Sequence, residues 1–166
     1  MGRDKARLRF RGGDLASSVA DAVARAAGNV TLVGHPELPA IADRYPGQGP
    51  LGGMLTALGH TSADWNLIVA CDMPEVTAAF LGEILARAMR SRADVLLPYG
   101  PDGLPQPLCA VYHRRCLAGL EQQFAGGVRE VTLALTGLTV ERFAVAELSF
   151  FQNVNTPHDW AAYAAE

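Results

Sequence analysis

Two apolar runs, Asn66–Cys71 (NLIVAC) and Ala93–Pro98 (ADVLLP), bracket TAAFLGEILARAMR, Thr77 to Arg90, in which apolar residues recur at helical spacing. Both runs are apolar at consecutive positions instead of alternating, which is the pattern of a strand buried on two faces. Such a strand needs cover above and below. The arrangement therefore predicts βαβ units and a mostly parallel sheet lying between two helical layers.

The rest of the chain extends this pattern. From Asp14 to Ala27, residues Leu15, Val19, Ala22, Val23 and Ala26 predict a helix, with Asp14 placed to cap its start and Gly28 to end it. NVTLVG, Asn29 to Gly34, reads as a short strand; the Pro/Gly-rich loop HPELPAIADRYPGQGP leads to a helix from about Leu51 to Leu58. After Pro98 come a turn-rich loop (YGPDGLPQ), a strand (PLCAVY), a helix over 113–124, a strand (TVERFAV) and a short final strand (FQNVN) before a helix starting near Pro157. With 166 residues, 49% of them hydrophobic, residues 1–166 suffice for one domain with a substantial core.

A formal charge of −3 gives no reason to expect nucleic-acid or anionic-membrane binding, although Arg3, Lys5, Arg7, Arg9 and Arg11 make the first residues basic. No apolar run is long enough to span a bilayer, and MGRDKARLRFR is too charged for a signal peptide, so a cytoplasmic protein is expected. Cys71, Cys109 and Cys116 show no C-x-x-C spacing, and His35, His60, His113 and His158 no i, i+4 pairing. Neither a disulfide framework nor a zinc site is indicated.

In open parallel sheets, ligands bind beyond the carboxyl ends of the strands, which draws attention to Asp72 at the end of the first apolar run. A carboxylate there can hold Mg²⁺, which takes one or two carboxylates and completes its shell with water and substrate phosphates. Equally, Asp72, Pro74 and Glu75 read as a helix start, with Asp72 as cap and Glu75 completing a capping box. GQGPLGGML, Gly47 to Leu55, opens a helix with glycines, which let backbone N–H groups approach a nucleotide; such loops also simply turn. Lys5 is a candidate phosphate contact or part of a solvated basic terminus. Asn153 and Asn155, on one side of the last short strand, suit a polar ligand or tie down a loop.

Taken in order, Met1-Gly2-Arg3-Asp4-Lys5, Gly49-Pro50-Leu51-Gly52-Gly53, Cys71-Asp72-Met73-Pro74 and Asn153-Val154-Asn155-Thr156-Pro157 resemble the motifs of the molybdenum cofactor guanylyltransferase (MobA) family. DGLPQPLCAVY is also similar to a family segment. The resemblance implies a Rossmann-like nucleotidyltransferase fold, three-layered α/β/α with a mostly parallel mixed sheet. It implies transfer of GMP from GTP to molybdopterin, giving the guanine dinucleotide cofactor and pyrophosphate, with Mg²⁺ as cofactor and transient contact with cofactor-biosynthesis proteins or molybdoenzymes. On this resemblance, Lys5 and Asp72 are catalytic, and Asp72 is also the metal ligand. The nucleotide side is Lys5, Asp43, Leu51, Gly52, Gly53 and Asp72. The acceptor side is Gln106, Pro107, Asn153 and Asn155. The family's first strand and its L-A-G-G-x-S-x-R loop have no counterpart ahead of Met1, so the resemblance also implies a truncated sheet, through either a start at an internal methionine, the preferred reading, or degeneration of this relative. Gly52 stands where many relatives have alanine. Rival readings are a cytidylyltransferase or other nucleotidyltransferase of the same fold, and a non-catalytic molybdopterin-binding protein.

Overall fold

The computed structural model describes residues 9–10, 13–35 and 38–152; Lys5, Asn153 and Asn155 lie outside them. A short antiparallel pair, β1 (Arg9–Phe10) and β2 (Gly13–Asp14), leads into helix α1 (Leu15–Ala27). The Ser17 amide donates to Asp14 Oδ1 at 2.6 Å, and Gly28, at φ 82°, closes the helix through its own N–H to the Ala24 carbonyl. Both ends of α1 are thus set by the predicted residues. β3 (Leu32–Val33) follows, and it pairs in parallel with β4 (Ala40–Ile41), a strand inside what the composition marks as loop.

Helix α2 (Pro50–His60) precedes β5 (Trp65–Val69), then α3 (Ala78–Ala88), β6 (Val95–Tyr99), β7 (Cys109–His113), α4 (Cys116–Ala125), α5 (Val131–Ala134) and β8 (Val140–Ala144). The main sheet has the order β5-β7-β6-β8. β7 runs antiparallel to both neighbours, with Leu67 opposite Val111 and Leu96 opposite the same valine, whereas β6 and β8 are parallel. Consequently β5, β6 and β8 point the same way, as a mostly parallel mixed sheet requires. Among the described residues, β5 pairs on one side only.

The two-fold side-chain period divides each central strand between two cores. Leu96, Cys109 and Val111 face α1 and α3, where they meet Val19, Val23, Phe80, Leu81 and Ile84. Their neighbours Val95, Leu97, Ala110 and Tyr112 face α2, α4 and α5, against Leu51, Leu55, Leu58 and Leu120. Because both of their faces are buried, β6 and β7 read as continuous apolar runs; β5, expected to be buried on two faces, is half-buried along its length.

Two local expectations are corrected. Helix α3 is capped by Thr77, whose hydroxyl accepts from the Phe80 amide at 3.2 Å, so the cap of α3 is not Asp72, which precedes it in a turn. In the short strand expected over 151–155, Phe151 instead closes a 3₁₀ turn over Leu148–Phe151, with Phe150 stacked on Phe80 at 4.6 Å and Phe151 edge-on to it at 5.9 Å; residues 153–155 and the helix expected near Pro157 lie outside the described residues. Among the described residues, no helix is long and apolar enough to cross a membrane.

Candidate active site

The carboxyl ends of β5, β6 and β8 lie at one edge of the sheet, and the chain leaving each is tied to its neighbours. The Ala70 amide, just after β5, donates to the Leu108 carbonyl at 2.8 Å, and the Gln106 amide donates to the Pro98 carbonyl at 2.9 Å. The Val145 amide, just after β8, donates to Tyr99 at 2.8 Å. Buried Tyr112 donates its hydroxyl to the Pro107 carbonyl at 2.7 Å, and burial raises its pKa, so it remains a donor. Gln106 and Pro107 are thereby held beside the end of the strand that delivers Asp72. A Cβ at Gly100 would lie 2.7 Å from Asp102 Oδ1, so the Asp102 side chain would have to swing away to admit it.

Asp72 itself is half-buried, in the turn that follows β5. Met73 and Val76 are sunk in the α1/α3 core, and the Val76 amide donates back to Met73. The turn is pinned from beneath, and Asp72 stands on the wall of a groove of about 690 Å³. Along one side run β5 and Cys71; opposite lie Asn29 to Val33; Val19 and Val23 of α1 and Pro50, Gly53 and Met54 of α2 complete it.

The Gly-rich segment divides by function. Gly49 adopts φ 80° and Pro50 opens α2 without a side-chain cap. Of the predicted nucleotide-side residues, Gly53 lines the groove and has nothing within 4 Å of a would-be Cβ. Gly52 faces away: its would-be Cβ would sit 2.9 Å from Tyr45 Cβ and 3.1 Å from the Tyr45 carbonyl oxygen, so the missing side chain admits the preceding loop. Leu51 is fully buried in the α2/α4 core, which leaves only its backbone for a ligand. Asp43 holds the loop: its Oδ1 accepts from the Tyr45 amide and from the Thr56 hydroxyl, both at 2.9 Å.

Three residues here lack a motif. Thr56, His60 and Arg129 emerge only from the folded chain; His60 lines the groove at the far end of α2, and Arg129 Nε donates to Gln48 Oε1 at 3.0 Å. A single polar residue within the apolar run of LGGMLTALGH was the available signal for Thr56. Among the described residues, no group of three or more His, Cys, Asp and Glu side chains is placed to hold a metal ion. A single rim carboxylate could still hold Mg²⁺ where substrate phosphates and water complete the shell.

Residues 1–138 match the MobA-like NTP transferase domain. Over 125 residues the chain is 37% identical to a protein of Methanothermobacter thermautotrophicus named "Probable molybdenum cofactor guanylyltransferase", covering 72% of this chain and 63% of that one. A protein of the same name from Deinococcus radiodurans is 34% identical over 171 residues, covering 97% of this chain and 86% of its own. The crystal structure of "Molybdopterin-guanine dinucleotide biosynthesis protein A" from Archaeoglobus fulgidus superposes with a TM-score of 0.80 at 25% identity, over 98% of this chain and 89% of that one. The chain spans less than two thirds of the length of the Methanothermobacter relative and 50% of one from Chloroflexus aggregans. The family match takes in Pro50, Gly53, Asp72 and Leu108, which line the groove, and the chain belongs to the MobA-like NTP transferase family.

Proposed function

We propose that this chain transfers GMP from GTP to the terminal phosphate of molybdopterin, forming the guanine dinucleotide cofactor and releasing pyrophosphate in a Mg²⁺-dependent reaction. The observation that carries this reading is the position of Asp72: it lies at the carboxyl end of β5, on the same groove as Gly53, and Thr77 has relieved it of capping α3. In the transfer, an oxygen of the acceptor phosphate forms a bond to the α-phosphorus of GTP while the bond to the β-phosphate bridge breaks. Both reactants are anionic, and each pair of unit charges at about 4 Å repels by roughly 4 kcal/mol at an effective dielectric near 20.

Asp72 would hold Mg²⁺ at the rim, and the bound cation supplies charge neutralisation at the transferring phosphates. The open amino end of α2 favours anions, and bare Gly53 lets the nucleotide approach that helix. Lys5 supplies a further positive charge in this reading. Gln106 and Pro107, tied to the strand ends, stand on the acceptor side with Asn153 and Asn155. No protein nucleophile is required; the protein's contribution is positioning and charge.

Calorimetric titration with GTP and CTP, with and without Mg²⁺, tests the reading. Mg²⁺-dependent binding that favours GTP is expected; preference for CTP would move the assignment to a cytidylyltransferase, and a folded chain that binds neither would overturn nucleotidyl transfer. Asp72→Ala is expected to lower Mg²⁺-dependent transfer by about 100-fold or more. Thr77→Ala, its control, lowers stability by about 1 kcal/mol through the lost cap and leaves transfer intact.

A further inference from the structure

Thr56 is the buried polar side chain of the described core, at 2% exposure in the middle of α2. Its hydroxyl oxygen accepts from the Arg44 amide at 3.0 Å and stands 2.9 Å from Asp43 Oδ1 and 3.0 Å from the Gly52 carbonyl. One hydroxyl proton serves two acceptors, and the ionised carboxylate is the stronger. Asp43 Oδ1 in turn receives the Tyr45 amide. Two successive backbone amides, of Arg44 and Tyr45, therefore end on side-chain oxygens that are linked to each other across the chain.

The same loop is held from outside. Tyr45 packs against the Phe124 ring at 4.8 Å, and Arg129 lies over the other aromatic partner, 3.9 Å from the Phe124 centroid, while bonding Gln48. From beneath, Gly52 leaves room for Tyr45. Ordering a loop of this kind before the ligand arrives removes part of the entropy loss of binding.

We infer that Thr56 is a positioning residue: through Asp43 it presets the loop from Arg44 to Gly49 that leads into α2, and so fixes the groove for a nucleoside triphosphate it never touches. The inference rests on the nucleotide reading of that loop given above. It assigns Asp43 first to loop order, with any nucleotide contact dependent on that order.

Thr56→Val keeps the shape and removes the hydroxyl; Thr56→Ser keeps the hydroxyl; Thr56→Ala repeats the deletion without the branched side chain. Amide hydrogen exchange, measured without nucleotide, reads the loop directly. In Thr56→Val and Thr56→Ala the Arg44 and Tyr45 amides are expected to exchange at least about tenfold faster, with core strand amides unchanged. The Kd for Mg²⁺-GTP is expected to rise about tenfold in both and to stay within about threefold of wild type in Thr56→Ser. Unchanged exchange in the deletions, or a Thr56→Ser variant as impaired as Thr56→Val, would overturn the inference. Faster exchange with unchanged Kd would overturn the positioning role as well. A wild-type chain with protected Arg44 and Tyr45 amides but no affinity for GTP would instead overturn the nucleotide reading, so the two failures are distinguishable.

Discussion

Asp94 shows how one residue can close a sheet at the end opposite Asp72. Its carboxylate receives Arg115 Nε, the Thr139 amide at 2.9 Å and the Thr139 hydroxyl at 2.7 Å, and Arg115 also caps the carbonyls of Arg92 and Ala93. The Arg115 bond, with those from Thr139, outweighs partial burial and lowers the Asp94 pKa from 3.8 to about 2. A carboxyl depressed on folding adds stability above its unfolded pKa and loses it as pH falls through the folded one. Asp94→Asn is therefore expected to lose about 1–2 kcal/mol at pH 6, after screening of the half-exposed Arg115. In urea unfolding that difference should shrink between pH 4 and pH 2; a difference independent of pH would refute the assignment.

At the scale of the element, α2 carries two adjacent glycines with opposite tasks. Gly53 faces the groove with open space, so Gly53→Ala removes backbone freedom in a helix and is expected to add roughly 0.5–1 kcal/mol of stability. On the proposed nucleotide reading the same methyl intrudes on the ligand, and the Kd for GTP is expected to rise. Gly52→Ala sets a Cβ 2.9 Å from Tyr45 Cβ, and the displaced loop is expected to lower stability by about 1–3 kcal/mol despite the better helix propensity. Chemical denaturation of both variants, with GTP titration, separates the two roles; equal effects would erase the distinction. The sequence pattern G-P-L-G-G marks the pair but cannot distinguish its members. Tyr45 is separated from Gly52 by a turn, and only the folded loop brings its backbone onto the helix.

For the whole molecule, thiol reactivity reports which parts open. Burial pushes Cys109 and Cys116 up to about 12, whereas Cys71 is exposed beside Asp72 at the groove. A thiol reagent at pH 7 is expected to modify Cys71 in the native state and the other two only on global unfolding. Mg²⁺-GTP should slow labelling of Cys71 alone. Rapid native labelling of Cys109 would contradict the two-core description of the sheet.

Much of the architecture is readable in the chain itself. Helix α1 begins at Asp14 and ends before Gly28 because capping depends on residues within a turn of one another. The run over 93–98 becomes a strand buried on both faces, as consecutive apolar side chains on an extended backbone predict, whereas the run over 66–71 becomes a strand left half-buried along the groove. Asp72 follows from the same local logic, as the polar residue that ends such a run. Whether it capped a helix was undecidable locally, because Asp72 and Thr77 both offer a cap and the burial of Met73 and Val76 decides between them. β4 is too short to stand out from its Pro/Gly-rich surroundings and exists because β3 lies beside it. The placing of β7 between β5 and β6, and the bond from Thr56 to Asp43 across 13 positions, likewise belong to the tertiary structure. The sequence alone determined the longer strands and helices and where a carboxylate leaves the sheet, since those depend on neighbours in the chain. Packing decided which groups meet at the groove, because contacts between distant residues form only where the two cores bring their backbones together.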